Sequence, residues 1–273
     1  MAAKWEQIPL YDGKVQLFYN DAVHQYRIQN GSGKKSVVVG ASSAAKAWSD
    51  NAAIAGWRIN NVKAFYTDNI QAKIEAGEPV TSVDIKLWAD QVHKISWGTG
   101  TEMVIGTLTH DWIAKCAKGE EPELPDHPNV ALAAKAFVKW AYEVDLRPIH
   151  VERCIFSKEH QFAGRLDMEA LVNGNRSIVD IKVSNGIYRD MILQTAAYAL
   201  ARNEEMAFTR EDEIIRDRYI IRCDRATGEA EVYHSPASEY DADVEIFLAA
   251  LTIHRDRVKE KTTNREPFEL SLP

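Results

Sequence analysis

Two aspartates lie on either side of the strongest turn signal in the chain, the dipeptide Asn173-Gly174. A two-residue Asn-Gly turn pairs Val172 with Asn175, so counting back along the two predicted strands places Asp167 directly opposite Asp180. Opposed residues in an antiparallel pair have Cβ atoms about 5 Å apart, and like charges are destabilising there. A divalent cation between the two carboxylates would turn this repulsion into coordination, because Mg²⁺ prefers hard oxygen ligands.

A lysine completes the set of residues that could do chemistry. Alternation along the strand places Lys182 on the same face as Asp180. Carboxylates that hold an ion, a water bound to that ion and a nearby ammonium group are what metal-assisted phosphodiester hydrolysis requires. A surface hairpin can also carry these three residues as a solvated polar face, and the hairpin by itself leaves that alternative open. The opposite face is predicted to be the core, with Leu166, Met168, Ala170, Val172, Val179, Ile181 and Val183.

The composition is that of a globular protein. The chain has 273 residues, of which 45% are hydrophobic and 27% charged, and it is long enough to bury a large core in a single domain. No apolar stretch reaches the roughly 18 residues of a membrane span, and residues 1–7 lack the apolar region of a signal peptide. The three cysteines are far apart in the sequence, which disfavours a zinc or disulfide framework. We therefore expect a cytoplasmic protein with no membrane partner.

The formal net charge of −7 argues against a protein that coats nucleic acid non-specifically, because such binding comes from basic residues that neutralise phosphates. A confined basic groove remains compatible with this charge.

Hydrophobic periodicity predicts a mainly helical N-terminal part, residues 1–147, and an αβ part, residues 148–273. Strands are predicted over 15–18, 24–28, 36–39 and 149–156. Hairpins are predicted over 164–184 and 218–234. Helices are predicted over 42–67, 83–96, 101–117, 130–144, 189–203 and 237–259.

The order of several polar residues resembles that of a nuclease superfamily. The ordered set is His110, Glu152, Gly164-Arg165-Leu166-Asp167, Asp180-Ile181-Lys182 and Gln194-Thr195-Ala196-Ala197-Tyr198. It is similar to the PD-(D/E)XK nuclease superfamily, in particular to its RecB-like branch, which includes many phage exonucleases. The resemblance implies an α/β fold with a restriction-endonuclease-like core, in which helices flank a mixed central sheet. It departs from the pattern in two respects that the RecB-like branch commonly shows: Leu166 stands where the name of the superfamily has proline, and the acidic residue of the second motif is Asp180 rather than glutamate.

The resemblance also implies roles for individual residues. Asp167 and Asp180 would ligate Mg²⁺ or Mn²⁺ together with the backbone carbonyl of Ile181, and Lys182 would position or activate the attacking water. His110 would be an additional ligand.

Three further residues are included in the predicted site. Glu152 would add a carboxylate, either through a water molecule or to a second ion. Gln194 and Tyr198 are four residues apart, so they share one helix face and would reach towards the site or the DNA.

The residue types by themselves also allow roles outside a metal site. A lone histidine between Leu108 and Trp112 is more often a packed core residue. Tyr198 could be a buried tyrosine with a satisfied hydroxyl, and Glu152 could face solvent. Glu169 shares the face of Asp167 by alternation, and we expect it to be a surface residue.

We therefore expect a metal-dependent deoxyribonuclease, an exonuclease that degrades DNA from free ends in phage recombination or replication, within the cytoplasm of a bacterial host. The implied partners are DNA, a single-strand annealing or single-strand binding protein, and a second copy of the chain. Three alternatives stay open: an endonuclease with the same metal site, a non-catalytic DNA-binding or assembly protein on the same fold, and a hydrolase of another phosphoester.

Overall fold

The computed structural model describes residues 4–29, 33–49, 52–96, 101–209 and 213–262. The chain divides into two compact units. The first consists of Met1–Ser49 and Thr109–Pro273, and the second of Asp50–Leu108. All residues of the predicted site belong to the first unit.

Nine strands are present in the described ranges. They are β1 (Glu6–Leu10), β2 (Val15–Asn20), β3 (Gln25–Gln29), β4 (Lys35–Gly40), β5 (Arg147–Ser157), β6 (Phe162–Val172), β7 (Asn175–Lys182), β8 (Asp217–Cys223) and β9 (Ala230–Ser235). The helices are α1 (Ala41–Ala45), α2 (Ala52–Glu75), α3 (Ser82–Ser96), α4 (Thr101–Ala117), α5 (Pro128–Glu143), α6 (Arg189–Thr209) and α7 (Tyr240–Thr262).

The strands form one mixed sheet. Its order is β1-β2-β3-β4-β6-β7-β8-β9, and β5 pairs with β6 beside this path. The pairs β4–β6 and β7–β8 are parallel, and all the others are antiparallel. The protein is therefore a mixed α/β protein with a central mixed sheet and flanking helices, as the sequence predicts at this level.

Strand β6 is the branch point of the sheet. One edge of β6 pairs with β5 along nearly its whole length. The other edge is shared, since β4 pairs only with Phe162 and Ala163 and β7 pairs only with Met168 to Val172. Residues 164–167 therefore lie in a fork between β4 and β7, where the ladders leave the edge of β6 open.

The β6–β7 hairpin has the predicted register. Val172 pairs with Asn175, and the ladder continues without a shift to the pair Met168–Val179. Asn173 and Gly174 have φ values of 49° and 83°, as a two-residue turn of type I′ requires. The next pair would be Asp167–Asp180, but the ladder ends one residue before it.

Both faces of the central sheet are covered. Ile178 packs with α1, α6 and α7, whereas its neighbour Val179 packs with α4 and α5, so the two lie on opposite faces. Alternation along β6 is interrupted, because Leu166 belongs to the first of these clusters and Met168 to the second. The prediction of a single core face is wrong in this respect. A third cluster lies between β1–β4 and the β5–β6 pair, where Tyr19 stacks on Tyr26.

The second unit contains α2, α3 and the first turns of α4. Tyr66 of α2 meets Trp88 of α3 edge to face, with ring centroids 5.9 Å apart. Helix α3 begins after Thr81, whose hydroxyl and backbone N–H both donate to Asp84. This reciprocal cap satisfies donors at the helix N-terminus.

Most predicted elements are confirmed, with two exceptions. Strand β1 was not predicted, and the predicted helix over 42–67 consists of the short α1 and the separate α2. In the described ranges, no helix has the length and apolar character that crossing a membrane requires. The single nuclease domain over 1–273 and its restriction-endonuclease-like core stay predictions.

Candidate metal centre

Three residues from three elements come together at the fork of β6. The ligand atoms of His110 on α4, Glu152 on β5 and Asp167 on β6 all lie within 4.8 Å of one another. Nδ1 of His110 is 3.6 Å from Oδ2 of Asp167. The three side chains are 27%, 19% and 17% exposed, so the cluster is partly shielded but open to small solutes. His110 is therefore not a packed core residue, and Glu152 does not simply face solvent.

The backbone at Glu152 is strained. Its φ is 55°, in the left-handed region that non-glycine residues seldom adopt. The β5–β6 ladder passes from Val151–Met168 to Arg153–Leu166 and skips Glu152 and Asp167. Such strain costs roughly 1–3 kcal/mol, and it concentrates at functional sites. The backbone of Glu152 and Asp167 is therefore not paired in the regular ladder, and the carboxylates of both residues lie in the cluster with His110.

Asp167 is held by the neighbouring strand. Its Oδ2 accepts a hydrogen bond of 2.7 Å from the backbone N–H of Ile181. This contact attaches β7 to β6 beyond the end of the regular ladder and orients the carboxylate. The predicted role of the Ile181 carbonyl as a ligand stays a prediction.

Asp180 is a fully buried carboxylate. Its polar partner among the described residues is the ammonium group of Lys182, whose Nζ lies 2.5 Å from Oδ2. Burial raises the pKa of Asp180 to about 6, an effect that Lys182 opposes and Asp167 reinforces. For Lys182, burial lowers the pKa, but Asp180 and Asp167 more than compensate and leave it raised.

The donor set fits a hard divalent ion. Carboxylate oxygens suit Mg²⁺ and Mn²⁺, and an imidazole favours Mn²⁺ over Mg²⁺ because nitrogen is a softer ligand. A buried carboxylate with one polar partner is costly, and coordination is one way to offset that cost. Asp180 lies outside the 4.8 Å cluster of His110, Glu152 and Asp167. Its charge nevertheless acts on the same site, since Asp167 and His110 both affect its pKa.

Gln194 and Tyr198 lie on α6 and contact each other. Nε2 of Gln194 donates a hydrogen bond to the Tyr198 hydroxyl, and the tyrosine ring is buried. Burial and the charge of Asp180 raise the pKa of Tyr198 well above its usual value, so the hydroxyl stays protonated. The ring fills the fork, where a Cβ at Gly164 would meet it at 2.7 Å. Only glycine fits at position 164 while the ring keeps this place.

Arg165 contacts the cluster, although sequence reasoning assigned it no role. Its Nε lies 2.7 Å from Oε2 of Glu152, and its NH1 lies 3.1 Å from Oδ1 of Asp21. Arg165 therefore links the strained residue of β5 to the turn between β2 and β3. Its position between Gly164 and Asp167 was visible in the sequence, but its partner 144 residues away was not.

Glu169 is not a surface residue, so that expectation is wrong. Its side chain is fully buried and pairs with Arg176 on β7 and Arg202 on α6. Arg202 also lies 3.6 Å from Glu205, which in turn binds Arg153 on β5. This buried network joins α6 to the strands that carry the candidate site.

No protein-family model matches the chain, and no curated protein sequence matches it. Among solved structures, the chain is similar to the crystal structure of a candidate exonuclease from Eubacterium rectale. The identity is 12%, the match covers 60% of this chain and 77% of the other, and the TM-score is 0.37. A likeness at this level carries no argument about function, which is argued below from the geometry of the site.

Proposed function

We propose that this protein is a metal-dependent deoxyribonuclease with a restriction-endonuclease-like core. One observation carries the proposal: a His-Glu-Asp cluster lies near the fully buried carboxylate of Asp180, which is paired with Lys182. Carboxylates able to hold a divalent ion and an adjacent ammonium group are the parts that phosphodiester hydrolysis requires.

Four side chains would hold the ion: His110, Glu152, Asp167 and Asp180. When bound, Mg²⁺ or Mn²⁺ would lower the pKa of a coordinated water and supply a nucleophile near neutral pH. The protein's part is to fix the ligands before the substrate arrives. Asp167 is held in place by the Ile181 N–H, whereas Glu152 forms an ion pair with Arg165.

Lys182 supplies positive charge at the reacting phosphate. Its ammonium group is buried against Asp180, and Asp180 and Asp167 favour its protonated form. A fixed cation in a partly dry site stabilises the negative charge that develops on the attacked phosphate. Gln194 and Tyr198 offer neutral hydrogen-bonding groups next to this charge and would orient the DNA.

The substrate and biological setting form the finer part of the proposal. We propose that the enzyme is an exonuclease that degrades DNA from free ends in phage recombination or replication. An annealing or single-strand binding protein would then act on its products. Support for this setting comes from the family resemblance of the ordered motifs.

Hydrolysis of linear DNA with Mg²⁺ or Mn²⁺ tests the proposal. Asp167→Asn, Asp180→Asn and Lys182→Ala should each lower the rate roughly a hundredfold or more, because each removes a ligand or a charge from the transition state. Glu143→Gln is the matched control, since it removes an exposed carboxylate on α5 and should leave the rate unchanged. Wild-type rates in all three site variants would disprove the assignment, provided circular dichroism shows that they are folded.

A further inference from the structure

A cavity of about 390 Å³ adjoins the candidate metal centre on the far side of Glu152. It lies between β1 and β5, and the end of α4 contributes Lys118. Its volume is near the lower end of the range for small-ligand sites. The charged side chains in its wall are Lys118, Arg153, Arg165, Glu6 and Glu152, and His150 and Cys154 also line it. We call it the β1–β5 cavity.

Two of its cations have unused hydrogen-bonding capacity. Lys118 is exposed, and its ammonium group makes no hydrogen bond or ion pair with any residue in the described ranges. Nε of Arg153 is buried without a hydrogen-bond partner in those ranges, even though its NH2 binds Glu205. Ammonium and guanidinium groups that line one space are suited to the oxygens of an anion.

Glu152 belongs both to the cavity and to the metal centre. Its Oε2 lies 2.7 Å from Nε of Arg165, while a carboxylate oxygen also lies within 4.8 Å of ligand atoms of His110 and Asp167. One carboxylate therefore stands between a guanidinium group and a cation site. If Glu152 turns to an ion, the cavity wall keeps Lys118, Arg153 and Arg165, of which Arg153 stays paired with Glu205 and Arg165 with Asp21.

We propose that the β1–β5 cavity is a phosphate subsite, in which Lys118, Arg153 and Arg165 hold a phosphate group and Glu152 couples that subsite to the metal centre. A phosphate that pairs with Arg165 releases Glu152 towards the ion, so the two ligands favour each other's binding. The proposal rests on the proposed function for its source of phosphate, a second phosphate of the bound DNA strand. Free inorganic phosphate has the same chemistry and would use the same contacts.

Titration of the full-length, metal-free protein with inorganic phosphate in a chelating buffer tests the subsite. Lys118→Ala should weaken binding about tenfold, the usual effect of losing one charge-assisted hydrogen bond. Glu152→Gln should tighten binding severalfold, because it removes the carboxylate that competes for Arg165. Lys115→Ala is the matched control: this exposed lysine lies one turn earlier on α4, outside the cavity wall, and its loss should leave binding unchanged.

Equal phosphate binding by wild type and Lys118→Ala, no measurable binding, or weaker binding by Glu152→Gln would each overturn the proposal. A second series uses a short deoxyoligonucleotide with hydroxyl ends as a competitor. Displacement of phosphate in a Lys118-dependent manner identifies a strand phosphate as the source, whereas failure to compete identifies a free anion. Because binding is measured without metal, Lys118-dependent binding in a protein that hydrolyses no DNA would leave the subsite standing while the proposed function fails.

Discussion

At the scale of single residues, Asp180 carries the main argument for a cation site. A buried carboxylate normally receives several hydrogen bonds, yet among the described residues Asp180 has only the ammonium of Lys182 as a polar partner. Asp167 and Asp180 also set two carboxylates against this one ammonium group. A divalent ion would correct both features at once.

His110 should be a ligand whose loss affects metal binding and leaves stability nearly unchanged. We expect His110→Ala to weaken Mn²⁺ binding roughly tenfold or more. The free energy of unfolding, measured in the presence of a chelator, should change by no more than about 1 kcal/mol, because the imidazole ring is partly exposed. Mn²⁺ titration and urea unfolding measure the two effects, with His127→Ala, an exposed histidine outside the site, as the control. Unchanged Mn²⁺ affinity together with a loss of several kcal/mol would show that His110 has a structural role.

Gly164 should be required for the position of Tyr198. In Gly164→Ala the new Cβ would meet the tyrosine ring at 2.7 Å, so the ring must move. We expect a loss of about 1–3 kcal/mol in the free energy of unfolding, together with slower hydrolysis. Gly106→Ala on α4 is the control, because its Cβ meets nothing within 4 Å and the change should stabilise the helix by up to about 1 kcal/mol. Equal free energies of unfolding for the two variants would show that the fork of β6 does not depend on the close contact between Gly164 and Tyr198.

At the scale of elements, the site depends on interruptions in regular structure. β4 and β7 share one edge of β6 and leave residues 164–167 unpaired between them, while the other edge skips Asp167 opposite the strained Glu152. In a fully regular sheet the backbone at Glu152 and Asp167 would be paired in the β5–β6 ladder. The irregularity therefore places polar side chains where three strands and α6 meet.

Helix α6 should be held against the sheet by the buried Glu169. Removing one member of a buried ion network leaves its partners uncompensated, so Glu169→Gln should destabilise the protein by roughly 3–5 kcal/mol. Glu213 pairs with the same Arg176 but is 65% exposed, and Glu213→Gln should cost less than about 1 kcal/mol. Urea unfolding of the two variants provides the comparison. Similar small losses in both would mean that Glu169 contributes no more than an exposed pair.

At the scale of the whole molecule, the charge distribution bears on how DNA is recognised. A net charge of −7 gives weak attraction along a duplex, so productive binding must come from local cations such as those of the β1–β5 cavity. A confined basic site of this kind is better suited to bind the end of a DNA strand than the middle of an intact duplex.

Linear DNA should therefore be degraded and a covalently closed plasmid should survive. The two substrates are incubated side by side with Mn²⁺ at one salt concentration, and a chelator control should abolish degradation. Release of nucleotides or short fragments from the linear substrate alone supports the exonuclease. Rapid cutting of the closed circle would contradict that proposal and favour an endonuclease with the same site, while inertness on both would favour a non-catalytic binding protein.

The sequence by itself determined the β6–β7 hairpin and the residues that could do chemistry on it. The Asn173-Gly174 turn and strand alternation are local rules, so the register from Val172–Asn175 to Met168–Val179 follows from counting. The opposed Asp167 and Asp180 pointed to a metal centre by the same counting, whereas His110 was included only through the resemblance of the ordered motifs to the nuclease superfamily.

The tertiary structure decided what surrounds these residues. The pairing of β4 with β6, the left-handed backbone of Glu152, the Arg165–Asp21 contact and the burial of Glu169 all join segments that are distant along the chain or depart from regular alternation. No local preference predicts them, because their free energies depend on which other segments exclude water from the same space. The sequence pattern could therefore place Glu169 on strand β6. Only the packing of α6 against that strand determines that its carboxylate is buried.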